Sequence, residues 1–147
     1  MNFSYVAGII DGEGCISFSH QKKDNKFIPY VSISNTNLNL ITRVKDFCKE
    51  NGINSRISTR KSKIETHKTC YGLSFFYNNA TKLINNVKSE LIVKKEQAKL
   101  LTENYVAYVS RNGKYTEENL RIKLSIIHKI RNLNSRSTKE LVHENSL

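Results

Sequence analysis

Apolar residues change period several times along the chain, and each change marks an element. Phe3, Tyr5, Val6, Ala7, Ile9 and Ile10 leave residues 3 to 13 apolar on nearly all sides. That pattern predicts a helix buried on more than one face. From Cys15 the period drops to two. Ile16, Phe18 and His20 alternate with Ser17, Ser19 and Gln21. After the polar run from Lys22 to Lys26, Val31 and Ile33 alternate with Tyr30, Ser32 and Ser34. The pair predicts a β-hairpin with one apolar and one polar face.

Asn37 can cap a helix from residue 38 to about 51, with Leu40, Ile41, Val44, Phe47 and Cys48 as its apolar stripe and Gly52 as its C′ residue. Two more strands follow, one around Ile57 and one in which Tyr71, Leu73 and Phe75 alternate with Cys70, Gly72 and Ser74. Asn79 is expected to open a helix holding Leu83, Ile84 and Val87, and a further helix is expected from residue 91 to about 108. Thr116 can cap another, with Glu117 and Glu118 suited to the positive end of its dipole. Leu120, Leu124, Ile127 and Ile130 follow at helical spacing, although Leu120, Ile122, Leu124 and Ile126 also alternate as in a strand. Ser137 to Glu140 reads as a capping box before a last short helix.

The order predicts an α+β fold: a four-stranded antiparallel sheet with helices on one face. At 147 residues the chain suits one domain, with a core over about 3–109 and a helical segment over about 116–145.

Charge then adds a partner. The net charge is +11 and the sequence pI about 9.7. Between His20 and Cys70 stand eleven Lys or Arg against four acids, so +7 of the excess lies there. Such a balance favours a nucleic acid over an ordinary solvated surface. Cys15, Cys48 and Cys70 form no CxxC pair, and the four histidines form no HExxH pattern. A disulfide framework and a zinc site are therefore not expected, and an intracellular, reducing compartment is. There is no basic n-region ahead of an apolar stretch and no long apolar run, so neither a secretory signal nor a membrane partner is expected. A composition rich in Asn and Lys, with one Pro and no Trp, matches AT-rich coding such as that of a mitochondrion or chloroplast.

The candidate chemistry sits in Val6-Ala7-Gly8-Ile9-Ile10-Asp11-Gly12-Glu13-Gly14. Gly8 and Gly12 share one helix face, with Ala7 beside them. Glycine costs roughly 1 kcal/mol in a helix relative to alanine, so two of them imply a close approach by another backbone. Asp11 and Glu13 end the helix between glycines. A carboxylate and a free carbonyl at a helix C-terminus suit a hard divalent cation. The alternative is a buried helix whose acids are solvated or only cap it.

This segment resembles the LAGLIDADG motif nearly residue for residue, with Glu at the second acidic position, and the element order resembles that of the LAGLIDADG homing endonucleases. The resemblance implies an αββαββα fold with a saddle-like sheet. It implies an intron-encoded, site-specific DNA endonuclease that needs Mg²⁺, with Mn²⁺ or Ca²⁺ able to occupy the site. Glu13 and the Gly12 carbonyl would hold the metal, and Asp11 would end the helix. One motif copy implies a homodimer, crossing at Ala7, Gly8, Asp11 and Gly12. Lys94, or failing it Lys95, matches the family's active-site lysine. Asn37 stands where relatives position a water, and Arg43 is the nearest further basic residue.

The sheet would read double-stranded DNA in the major groove through Ser17, Ser19, Gln21, Tyr30, Ser32, Ser34, Arg56, Ser58, Arg60, Lys68, Cys70 and Ser74. Lys22, Lys23, Lys61 and Lys63 would meet phosphates, as would Arg136 and Lys139 in a basic C-terminal loop. The competing readings are an intron maturase that binds RNA and a non-catalytic DNA- or RNA-binding module of the same fold.

Overall fold

The computed structural model describes residues 1–23, 26–105 and 116–135. Its elements are α1 (Phe3–Glu13), β1 (Gly14–Gln21), β2 (Lys26–Asn35), α2 (Leu38–Glu50), β3 (Arg56–Arg60), β4 (Cys70–Phe76), α3 (Tyr77–Val87), α4 (Lys95–Tyr105) and α5 (Glu117–Asn134). The four strands form one antiparallel sheet in the order β1-β2-β4-β3.

The register divides the sheet cleanly. Gly14, Ile33, Leu73 and Ile57 form one cross-strand row, and Ile16, Val31 and Phe75 another. These rows face the helices. Phe75, Val31, Ile33, Leu73 and Ile16 are fully buried against Val6, Ala7 and Ile10 of α1, Ile41 and Val44 of α2, and Leu83, Ile84 and Val87 of α3. Leu101 of α4 and Ile127 and Ile130 of α5 complete the layer. Burying one such side chain contributes about 1.5–3 kcal/mol. Val6 and Ile10 alone therefore outweigh the helical cost of Gly8 and Gly12.

Local signals set most boundaries. Asn2 caps α1, accepting from the Tyr5 N–H at 2.9 Å. Asn37 caps α2, accepting from the Leu40 N–H at 3.1 Å, and Gly52 ends it with φ +74°. Thr116 caps α5, accepting from the Asn119 N–H at 3.2 Å.

Two helix starts differ from expectation. The third helix opens at Tyr77 rather than Asn79, because the Asn79 side chain accepts from the Asn54 N–H at 2.9 Å instead of capping its own helix. The fourth opens at Lys95 rather than residue 91, because Asp11 captures the backbone ahead of it. The Ile92 N–H donates to Asp11 Oδ2 at 2.7 Å and the Lys94 N–H to Asp11 Oδ1 at 2.9 Å. The ambiguous segment after Thr116 is helical, and its buried face carries Lys123, Ile126, Ile127 and Ile130 while Leu124 is exposed. The capping box at 137–140 lies outside the described residues.

The turn from α1 into β1 is tight. A Cβ at Gly14 would stand 2.7 Å from both Cα and the carbonyl oxygen of Ile10. These are backbone atoms that cannot swing aside. Gly14→Ala is expected to lower the unfolding free energy by about 2 kcal/mol or more. Urea denaturation measures it, and a midpoint equal to wild type would contradict the close approach.

Asp11 gives a pH-dependent counterpart. Burial alone would raise its carboxyl pKa. The backbone N–H groups of Ile92, Lys94 and Val93, joined by the Lys94 charge, outweigh burial and hold it below 3.8. A depressed folded pKa gives stability that is present above the unfolded pKa and is lost as pH falls through the folded value. Asp11→Ala should therefore cost about 1–2 kcal/mol at neutral pH. The wild-type advantage in chemical unfolding should shrink as pH falls below 3.8. An advantage unchanged in acid would show that the carboxylate is not what ties the segment down.

Candidate active site and nucleic-acid interface

Two acids end α1, and the fold treats them oppositely. Asp11, half-buried, ties α1 to the segment ahead of α4, as described above. Glu13 is exposed at the last position of the helix. Its Oε2 accepts from Nδ2 of Asn35 at 2.5 Å. The Asn35 Oδ1 is itself used, accepting from the Asn37 N–H at 2.7 Å. The amide therefore has its nitrogen turned to Glu13. Asn35, which sequence reading did not single out, is the residue that positions the carboxylate. Asn37 spends its side chain on the α2 cap. The signal for Asn35 was present: Val31, Ile33 and Asn35 share one alternation register, and an asparagine on the apolar side of a strand needs a partner.

Lys94 also reaches this end of α1. Its Nζ donates to the Asp11 carbonyl oxygen at 2.5 Å. With Gly12, Glu13, Gly14, Cys15, Val93, Gln97, Leu133, Asn134 and Ser135 it lines a recess of about 460 Å³. Lys95, the fallback, lines a separate hollow with Lys88, Ser89 and Lys99. Arg43 lines a recess with Met1, Tyr5, Asn37, Asn39 and Leu40, by the start of α1 rather than its end.

The wall of the Glu13 recess holds two polar residues that pattern reading missed. Gln97, 5% exposed, donates from Nε2 to Asn134 Oδ1 at 3.3 Å. Asn134 donates to the Ile16 carbonyl at 2.9 Å, joining the end of α5 to the start of β1. The buried surroundings push the Cys15 thiol above its ordinary value of 9.0, against the pull of the Lys94 charge, so it stays protonated at neutral pH.

Glu13 and Gly12 are both exposed, and a carboxylate and a backbone carbonyl are the oxygen donors a hard divalent cation takes. Among the described residues no three His, Cys, Asp or Glu side chains gather as a metal site. A cation held here would take its protein carboxylate from Glu13.

The outer face of α1 is open. Gly8 and Gly12 are exposed, and a Cβ on either would meet nothing within 4 Å. Met1 and Tyr5, both about half exposed, border it. Ala7 does not belong to this stripe, since it is fully buried in its own core. Neighbouring helix positions point about 100° apart, and Ala7 falls on the inner side.

The polar face of the sheet is continuous. Cys15, Ser32, Ser74 and Arg56 form one row; Ser34, Gly72 and Ser58 a second; Ser17, Tyr30 and Phe76 a third. Ser19, Gln21, Arg60 and Cys70 share its register. Lys22 and Lys23 are exposed just beyond β1, and Lys61, Lys63 and Lys68 are exposed in the β3–β4 connection. Lys68 thus belongs to the loop and not to the strand face. Ile28 and Phe76, which the alternation had not assigned there, share the face. Arg136 and Lys139 lie outside the described residues.

Residues 1–105 match the model of the LAGLIDADG-like domain. No curated protein matches the chain significantly. Among solved structures the chain is similar to the homing endonuclease I-CvuI, in complex with an I-CreI target and Mg, at 14% identity and TM-score 0.68, covering 93% of this chain and 83% of that one. It is similar to the LAGLIDADG meganuclease I-AabMI bound to uncleaved DNA, at 20% identity and TM-score 0.65, covering 86% of this chain and 44% of that one. It is also similar to the LAGLIDADG homing endonuclease I-GzeII in complex with its DNA target, at 16% identity and TM-score 0.51, covering 99% and 49%. At these identities the likeness is one of fold, and the chain spans under half the length of I-AabMI and I-GzeII. The family model, which covers most of the chain and includes the glycine-notched α1 and its terminal acids, decides the membership: this protein belongs to the LAGLIDADG-like family.

Proposed function

We propose that the chain is a homing endonuclease that cuts both strands of a long, roughly palindromic DNA site as a homodimer. The observation that carries the reading is Glu13, held by Asn35 at the exposed end of a helix whose Gly8 and Gly12 face is open. I-CvuI and I-AabMI, of the same fold, are bound to DNA, and I-CvuI was solved with its target in the presence of Ca as well as with Mg. The chain covers most of I-CvuI but under half of I-AabMI. A chain of that size with one motif would take its second carboxylate from a second copy.

A divalent cation bound at Glu13, Mg²⁺ or in its place Mn²⁺ or Ca²⁺, would supply Lewis-acid stabilisation of charge on the phosphate and activation of water. The chain's own residues do the rest. Asn35 fixes the direction of the Glu13 carboxylate, so little reorganisation is needed when it becomes a ligand. Lys94, tethered to the Asp11 carbonyl, holds a positive charge beside the Glu13 recess, where it can stabilise negative charge on a phosphate. The Ser, Gln and Arg side chains of the sheet face meet base edges, and the lysines of the two flanking loops meet phosphates.

Incubation with a randomised or intron-junction duplex library and Mg²⁺ should yield double-strand cuts at a near-palindromic sequence. Glu13→Gln should abolish cutting while DNA affinity stays within a few-fold of wild type. Asn35→Ala should lower activity or metal affinity by about 10–100-fold, with more Mg²⁺ restoring part of the rate. A Glu13→Gln protein that cuts like wild type would overturn the assignment. Intron splicing without DNA cleavage would instead favour the RNA-binding reading.

A further inference from the structure

Tyr77 stands where β4 passes into α3 and is the non-glycine residue with positive φ, +51°, among the described residues. A bulky side chain adopts that conformation only when its surroundings impose it. The alternation of β4 explains what is gained. Phe76 lies on the polar face, opposite Tyr30, so an extended residue 77 would point to the helices. The reversed backbone delivers the Tyr77 ring to the polar side. There its hydroxyl donates to Oε1 of Gln21 at 3.1 Å. Gln21 ends β1, paired with Lys26 of β2, and β2 lies between β1 and β4. The bond thus reaches over a whole strand. Its hydroxyl partner has no role in the core, since both residues sit at the surface.

We propose that Tyr77 is a specificity-determining positioning residue, which fixes the Gln21 amide so that its nitrogen faces the DNA as a donor. A free glutamine can present either end of its amide, and its two-point pairing with adenine uses both. Tyr77 donates to Oε1, which leaves Nε2 as the outward group. The flipped amide, donating Nε2 to the same hydroxyl, would turn the oxygen outward. A wild-type profile that admits cytosine would reveal it and overturn the inference. Guanine, adenine and thymine each show an acceptor in the major groove, whereas cytosine shows only its amino donor. One base position in each half-site should therefore exclude cytosine on the strand that Gln21 meets. Tyr77 touches no base in this arrangement and acts through Gln21. The inference rests on the DNA-bound sheet face proposed above.

The test is selection of bound duplexes from a randomised library, read by sequencing, for four proteins: wild type, Tyr77→Phe, Gln21→Ala and the double variant. Wild type should disfavour cytosine at one position per half-site. Tyr77→Phe should relax that discrimination by about five- to tenfold, leaving the rest of the profile in place. In the Gln21→Ala background the same change should do nothing. Gln21→Glu, which keeps an acceptor for the Tyr77 hydroxyl and turns a second oxygen outward, should favour cytosine at that position. It tests the proposal even where Tyr77→Phe lowers stability. A profile unchanged by Tyr77→Phe, or changed equally with and without Gln21, overturns the inference while leaving the DNA-binding reading intact. The absence of inversion by Gln21→Glu also overturns it. A wild-type protein that selects no sequence overturns both.

Discussion

Asp11 and Glu13 are two residues apart on a helix, so their side chains leave it roughly 200° apart. The rest of the site depends on that divergence. One acid is spent on the segment ahead of α4, where it receives the Ile92 and Lys94 N–H groups and brings Lys94 to the end of α1. The other is left outside, steadied by Asn35 from the end of β2. Asn134 fastens the end of α5 to β1 at the same place. Parts of the chain distant in sequence are thereby tied around one exposed carboxylate. Gly14 lets β1 leave the helix in a single step, which sets the sheet directly beside that carboxylate.

Much of this was legible because it is local. The bounds of α1 follow from its apolar run and glycine-flanked acids. The two faces of the sheet follow from alternation alone, since a period of two leaves a strand no freedom over which residues share a side. Ser17, Tyr30, Ser32, Ser74 and Arg56 fall on one face for that reason. The caps at Asn37 and Thr116 were equally visible, each a side-chain oxygen serving an N–H three residues on.

What escaped pattern reading is set by contacts between distant segments. Asn35 and Glu13 are 22 residues apart, and Asp11 and Lys94 are 83 apart. No periodicity links them. Asn79 is a good capping residue by type, yet Asn54 claims it. Ala7 sits among the small residues of the motif, but its angle on the helix turns it into the core and leaves Gly8 and Gly12 outside. Tyr77 carries no sign of its reversed backbone, since tyrosine is among the residues least expected there.

The glycine face on α1 is open among the described residues, and the proposed homodimer requires a second α1 to cross there. Disulfide trapping tests it most directly, because two cysteines can bridge only when their Cα atoms come within about 7 Å. Chains carrying Gly8→Cys or Gly12→Cys, mildly oxidised without DNA, should give a covalent dimer that reductant splits. The parent chain, which has only Cys15, Cys48 and Cys70, should not. If both variants stay monomeric under oxidation, the two helices do not meet, and the pairing of two Glu13 carboxylates is wrong.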